Sequence, residues 1–150
     1  MSRRSARELA LHMLFEMDFT GAQYQALMER RLTPEEFGDF AKEDRLYEQL
    51  PDERDRAYIA HLLGGVSAHM PELDGYIEKY SVGWKFDRLS HIVIALARIA
   101  MFEILYEQDT PNSVAINEAV ELCKRYDTQE AAAFLNGILA SFVRQEAGEA

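Results

Sequence analysis

The chain has 150 residues, of which 48% are hydrophobic and 28% charged, a composition typical of a globular protein rather than a disordered one. Its 26 acidic and 16 basic side chains give a net charge of −10, which disfavours binding of nucleic acid over the whole surface. Cys123 is the single cysteine and no apolar run reaches the roughly twenty residues that span a bilayer, so we expect one cytoplasmic domain over residues 1–150, without disulfide or membrane segment.

The first twenty residues are the stretch in which this acidic chain concentrates its basic charge. Residues 1–12 carry three arginines against one glutamate, a local charge of +2 that leaves −12 for the other residues. A repeat of 3.6 residues predicts a helix here, capped by Ser2 or Ser5 and ended at Gly21. Its core face is formed by Ala6, Leu9, Ala10, Met13, Leu14 and Met17.

A neighbouring face of the same helix combines basic and aromatic side chains, namely Arg4, Arg7, Leu11 and Phe15. Guanidinium groups bind phosphate and aromatic rings stack on bases, so this composition suits a single-stranded nucleic acid. The alternative is a solvated helix end, which arginines near an N-terminus form more often than a binding site. Arginine also opposes the positive end of the helix dipole, a small cost that some other interaction should offset.

The next part of the chain predicts shorter elements. Residues 22–31 form a second amphipathic helix, and residues 33–50 form a short helix and a connection, started by the Thr33-Pro34 cap. A longer helix is expected from Pro51 to about Met70, because apolar residues recur there at helical spacing.

The second half contains the most apolar segment. Helices are predicted over residues 72–80 and 86–108, separated by a loop in which Trp84 should be a packing anchor. The run IVIALARIAMFEILY in the second of these is apolar almost all round, which indicates a central, covered helix.

Two further helices complete the chain. One is capped by Ser113 and ends at Tyr126, and the last is capped by Thr128. Gly137 in the last helix costs about 1 kcal/mol relative to alanine unless a close helix contact compensates. Because no strand pattern is found, the fold class is all-α, a compact bundle of about seven helices.

The motifs of common enzymes are missing from the sequence. The four histidines and one cysteine have no metal-binding spacing, so no metal and no cofactor are predicted. Gly64-Gly65 lacks the lysine and hydroxyl of a phosphate loop, and no serine, threonine or cysteine stands in a nucleophile motif. An enzyme is therefore the weaker class.

Several segments resemble the NusB family of transcription antitermination factors. They are RRSARELALHMLFEMDF, LARIAMFEILY, DTPNSVAINEAVELCKRY and FLNGIL, in this order. The resemblance implies an all-helical fold of two helical subbundles without enzymatic activity. It also implies binding of boxA-type single-stranded RNA in ribosomal-RNA leader transcripts, together with NusE, a small-subunit ribosomal protein. Both would belong to a complex that keeps RNA polymerase processive.

The resemblance also assigns the RNA-binding residues. The arginine-rich start of the first helix corresponds to Arg3, Arg4 and Arg7, and the aromatic RNA-contacting position corresponds to Phe15. A phenol hydroxyl is often found at this last position in the family, and here it is absent, so stacking is possible but its hydrogen bond is not.

Other family positions are further candidates. Lys124 and Arg125 are expected as additional RNA contacts, although the helix dipole alone would explain basic residues there. Glu130 and Phe134 match positions on the surface that faces NusE.

Two departures from the family pattern bear on affinity. An acid and a base that usually start the central helix are replaced by Val93 and Ile94, and a usually polar stretch is Ala131-Ala132-Ala133. The affinity for NusE and the choice between monomer and homodimer stay open.

Two alternatives belong to other classes. One is a protein-docking module without RNA activity, which self-associates through an exposed apolar surface at residues 92–94. The other is the related helical domain that precedes an RNA cytosine methyltransferase, which would require a second, catalytic domain.

Overall fold

The computed structural model describes residues 1–148, in which all regular secondary structure is helical and no strand is present. They form eight α-helices and two short 3₁₀ helices, at Arg45–Glu48 and Phe86–Arg88. The α-helices are α1 (Arg3–Thr20), α2 (Tyr24–Arg31), α3 (Pro34–Phe40), α4 (Glu53–Ala68), α5 (Met70–Tyr80), α6 (His91–Tyr106), α7 (Asn112–Tyr126) and α8 (Gln129–Glu146). The all-α prediction is confirmed, with eight helices where about seven were expected.

The contacts of the chain divide it into two compact units, in agreement with two helical subbundles. The N-terminal unit is Met1–Gly65, and the C-terminal unit begins at Val66. That residues 1–150 act as one domain stays a prediction.

In the N-terminal unit, α1 has the ends that its sequence predicts. The Ser2 hydroxyl accepts a hydrogen bond from the Ser5 amide at 3.0 Å, and Gly21 closes the helix with a φ of 71°. The predicted core face is buried except for Met17, which is half-buried. Leu11, expected on the neighbouring face, is buried as well, so the covered surface of α1 is wider than predicted.

Ion pairs connect α1 with the two short helices that follow it. Arg31, at the end of α2, donates to Glu16 of α1 at 2.6 Å and to Glu36 of α3 at 3.0 Å. These two carboxylates raise the pKa of Arg31, and the hydrogen bond that Arg31 donates to Glu16 is the largest influence. The Thr33 hydroxyl caps α3 as predicted, accepting from the Glu36 amide at 3.2 Å.

In the C-terminal unit, α6 is the central helix and packs against α5, α7 and α8. Its residues from Val93 to Glu103 are all buried, which confirms the covered helix expected from its composition. It begins later than predicted, at His91, because the Ser90 hydroxyl caps it by accepting from the Val93 amide at 3.0 Å. Residues 86–88 form a separate 3₁₀ turn.

Three other local predictions have different outcomes. Thr128 caps α8 as expected, accepting from the Ala131 amide at 3.0 Å. The Ser113 cap was wrong, because Pro111 occupies the cap position and α7 starts at Asn112, two residues earlier than a Ser113 cap implies. The packing role of Trp84 was also wrong, since this side chain is 58% exposed in the loop before α6.

The described residues contain no membrane-spanning helix and no cluster of metal-binding side chains. None of the described helices is both long and apolar enough to cross a bilayer. No group of three or more histidine, cysteine, aspartate or glutamate side chains within residues 1–148 is arranged to hold a metal ion.

Candidate nucleic-acid interface

The first turns of α1 place the three predicted arginines in different environments. Arg3 and Arg4 are exposed, whereas Arg7 is only 7% exposed. Both Arg3 and Arg7 approach the ring of Tyr58 in α4, with guanidinium carbons 3.8 Å and 5.8 Å from its centroid. Two of the three arginines thus lie at the surface, and the third lies inside the unit, beside the same tyrosine.

Acidic groups lie close to this basic helix end. The side chains of Asp52 and Asp55 line a surface cleft of about 280 Å³ together with Arg3 and Tyr58. Asp55 accepts from the Met1 amino group at 3.3 Å and from the Asp52 amide at 3.0 Å. Asp52 in turn accepts from the Asp55 amide at 2.9 Å, so the two aspartates form a reciprocal cap on α4.

The last two turns of α1 carry the aromatic part of the predicted site. Phe15 is half-buried, and its ring centroid lies 4.9 Å from that of Phe19, in a tilted arrangement. Phe19 is 62% exposed, which makes it the larger apolar surface of the pair. The sequence prediction missed Phe19, although its spacing of four residues from Phe15 puts both on one helix face.

The two basic residues of α7 lie in its last turn, on the C-terminal unit, and both are exposed. Lys124 pairs with Glu121 at 3.2 Å, one turn earlier, and Arg125 lies 5.7 Å from the Tyr126 ring centroid. Each therefore has a local contact that a phosphate would compete with, and the Lys124 pair is exposed and weak.

The predicted partner-binding residues lie in the first two turns of α8. Glu130 is exposed, and Phe134 is half-buried with its ring centroid 6.0 Å from that of Trp84, edge to face. They line a groove of about 340 Å³ that also contains Arg88 and Val93. Sequence reasoning missed Trp84 as a site residue, because a single aromatic side chain in a loop carries no periodic signal.

The apolar surface that was expected at residues 92–94 is not formed. Val93 is 2% and Ile94 6% exposed, and Ile92 is half-buried. The start of α6 is thus largely buried, which removes the surface on which the docking-module alternative depended.

Two side chains have strongly shifted pKa values that bear on reactivity, the half-buried Tyr47 and the buried Cys123. Burial raises the pKa of Tyr47 to about 12 and that of Cys123 to about 11. Tyr47 lies beside His12, whose Nδ1 is 2.7 Å from the Tyr47 hydroxyl. Both groups are protonated at neutral pH, so neither is an activated nucleophile.

Comparisons with known proteins agree with one another. The family model described as the NusB family matches residues 4–144. A curated transcription antitermination protein NusB from Symbiobacterium thermophilum is 40% identical over 150 residues, which cover all of this chain and 94% of that protein.

Solved structures share the fold. The T. maritima NusB structure has a TM-score of 0.74 at 27% identity, covering 98% of this chain and 94% of that one. A structure of the antitermination factors NusB and NusE in complex with double-stranded RNA has a TM-score of 0.76 at 22% identity, covering 95% and 96%. Because both the sequence and the fold match over almost the full length, this chain belongs to the NusB family of transcription antitermination factors, which are not enzymes.

Proposed function

We propose that this protein binds boxA-type single-stranded RNA of ribosomal-RNA leader transcripts together with NusE, as part of a cytoplasmic complex that keeps RNA polymerase processive. Support comes from the family, whose curated relatives are named transcription antitermination proteins, and from the solved complex of NusB, NusE and RNA with the same fold. The observation that carries the proposal is the surface of α1, with exposed Arg3 and Arg4 at one end and the Phe15–Phe19 pair at the other.

The chemistry of α1 suits RNA rather than an acidic protein. The guanidinium groups of Arg3 and Arg4 donate to phosphate oxygens, while aromatic rings stack on bases. Phe15 is twelve positions after Arg3, a rise of roughly 18 Å along the helix, so one RNA strand would have to follow the helix to use both. The net charge of the chain is negative, so RNA contacts are expected only at local basic positions such as those of α1.

The strength of such a contact argues for a second protein. Two phosphate contacts by the exposed Arg3 and Arg4 would give a salt slope of only about −1.4 on single-stranded RNA, which corresponds to weak binding. NusE bound at Glu130 and Phe134 would add contacts and raise the effective concentration of RNA at α1. Lys124 and Arg125 are proposed as further RNA contacts, because additional phosphate contacts would strengthen the binding.

A titration of labelled boxA-type RNA, with and without NusE, tests the proposal. The double variant R3A/R4A should weaken binding and reduce the salt slope by about 1.4, because two phosphate contacts are lost. The double variant K42A/R144A is the matched control, since it also removes two exposed positive charges, both outside α1. If R3A/R4A bound RNA as tightly as wild type, the basic end of α1 would be a solvated helix end and not an RNA-binding site.

The aromatic part needs its own measurement. Phe15→Ala should weaken RNA binding by about 1–3 kcal/mol while leaving the salt slope unchanged, because stacking involves no counterion release. The composite site is tested in the same assay, since RNA that bound equally tightly with and without NusE would contradict it.

Self-association is the remaining question of assembly. With Val93 and Ile94 buried, no exposed apolar surface at the start of α6 favours a docking module without RNA activity. Sedimentation at micromolar concentration measures whether a homodimer forms, and adding RNA to that experiment shows whether the two states compete.

A further inference from the structure

The ring of Tyr58 lies beside two of the arginines that the sequence analysis assigns to RNA binding, Arg3 and Arg7. Tyr58 is 8% exposed and belongs to α4, whereas Arg3 and Arg7 belong to the first two turns of α1. The guanidinium carbon of Arg3 lies 3.8 Å from the ring centroid, which is direct stacking distance, and that of Arg7 lies 5.8 Å away. Both distances are within the range of cation–π attraction.

We infer that Tyr58 is a positioning residue for RNA binding, which holds Arg3 against its ring so that the guanidinium edge faces a phosphate. The inference rests on the proposed function, since it explains how α1 presents its arginines. A guanidinium that stacks by its face keeps the N–H donors of its plane for bidentate hydrogen bonds. Stacking therefore orients the group without using the donors that a phosphate needs.

The acidic cleft beside Arg3 explains why its guanidinium group needs to be held in place. Asp52 and Asp55 line the same cleft as Arg3, and the cleft also contains Arg54 and the Met1 amino group. An arginine without the ring beneath it would be attracted to these carboxylates, and its charge would be offset within the protein. The Tyr58 ring competes with that attraction, and it also removes part of the side-chain entropy that binding would otherwise cost.

A double-mutant cycle on the full chain tests the inference, with labelled boxA-type RNA and NusE present. The four proteins are wild type, Arg3→Ala, Tyr58→Leu and the double variant R3A/Y58L. Tyr58→Leu should weaken binding about threefold to fivefold, the ratio that corresponds to a cation–π contact at an exposed site. Tyr58 acts through Arg3, so its replacement should have little further effect once Arg3 is absent. The affinity of the double variant should therefore lie within about twofold of that of Arg3→Ala.

Tyr58→Phe is the conservative control, since it keeps the aromatic face and loses only the hydroxyl. It should bind RNA as wild type does, with an unchanged salt slope, whereas a purely structural role for the hydroxyl would not predict this rescue. Thermal unfolding of each variant shows whether it is folded. If Tyr58→Leu does not fold, Arg3→Lys replaces it, because lysine keeps the charge but loses the planar stack, and the same loss of affinity is expected.

The outcomes separate this inference from the proposed function. If the losses of binding free energy in Arg3→Ala and Tyr58→Leu added fully in the double variant, the positioning role would be overturned and the proposed function would stand. Wild-type affinity in a folded Tyr58→Leu would have the same meaning. Wild-type binding by Arg3→Lys, measured where Tyr58→Leu does not fold, would overturn the positioning role too. Wild-type binding by Arg3→Ala would instead overturn the role of Arg3 in the proposed function, and the inference with it.

Discussion

Arg98 of α6 and Asp74 of α5 form a bidentate ion pair inside the C-terminal unit. Arg98 Nε donates to Asp74 Oδ1 at 2.8 Å, and Nη2 donates to Oδ2 at 2.9 Å. The Arg98 side chain is 8% exposed and that of Asp74 28%, so the pair is largely removed from solvent. It connects the central helix with α5 through a geometry that only a planar guanidinium can supply.

Removing the acid of this pair should be costly. Asp74→Ala removes a bidentate carboxylate partner from a buried guanidinium, and we expect a loss of about 2–4 kcal/mol in the free energy of unfolding. Urea unfolding measures this as a lower midpoint with an unchanged slope.

The double variant D74L/R98M is the control for the Asp74 experiment. Because it removes both charges, it should cost less than Asp74→Ala alone. A loss below about 1 kcal/mol in Asp74→Ala would place the pair among ordinary surface ion pairs.

Two glycines should respond to alanine with opposite signs. Gly137 lies within α8, and a Cβ built there meets nothing within 4 Å, so no close helix contact requires glycine. Gly137→Ala should raise the free energy of unfolding by about 0.5–1 kcal/mol, the difference in helix propensity. Gly21→Ala should lower it by about 1 kcal/mol, because Gly21 has a φ of 71°, which is strained for a residue with a Cβ.

Chemical denaturation of both glycine variants and wild type measures the change in the free energy of unfolding for each variant. Stabilisation by Gly21→Ala, or destabilisation by Gly137→Ala, would contradict this account. If Gly137→Ala is more stable but binds RNA or NusE less well, the glycine serves the interface rather than the fold.

The thiol of Cys123 should react very slowly with thiol reagents in the folded protein. The residue is fully buried in α7, and burial, with a smaller influence from Asp127, raises the pKa of its thiol to about 11. At pH 8 about one thiol in a thousand is then ionised, and only the thiolate reacts with disulfide reagents. A colorimetric disulfide reagent should therefore react slowly in buffer and rapidly in denaturing urea at the same pH. Rapid reaction in buffer would show that α7 opens readily.

Helix positions and caps were predictable from the sequence, because they depend on local spacing. The core face of α1, its Gly21 end and the caps at Thr33 and Thr128 involve residues within one or two turns. The start of α6 was misplaced because Phe86 and Leu89 extend the apolar run, while the cap that begins the helix is a single hydroxyl, Ser90.

The candidate site was predictable only in part. A helical repeat places Arg3, Arg4 and Phe15 on α1, but it does not show that Arg7 is covered, because Tyr58 comes from a helix far along the chain. The exposure of Trp84 likewise depends on what packs beside its loop, which no local pattern specifies.

The reciprocal cap of α4 should make the N-terminal unit sensitive to acid. The amide of Asp55 donates to the Asp52 carboxylate, and this bond is the largest of the influences that lower the pKa of that group. A pKa that is lower in the folded state contributes stability above the unfolded value of about 4, and the contribution is lost as the pH falls through the folded value.

Asp52→Asn tests the acid sensitivity of this cap, because asparagine caps a helix without titrating. The variant should be less stable than wild type at pH 7, where the carboxylate is charged, and the difference should shrink steadily below about pH 4. Urea unfolding at several pH values measures the difference, with Glu53→Gln as a control that removes a neighbouring exposed carboxylate outside the cap. A stability difference between Asp52→Asn and wild type that stayed constant from pH 7 to about pH 2 would show that the charge of Asp52 adds nothing to the cap.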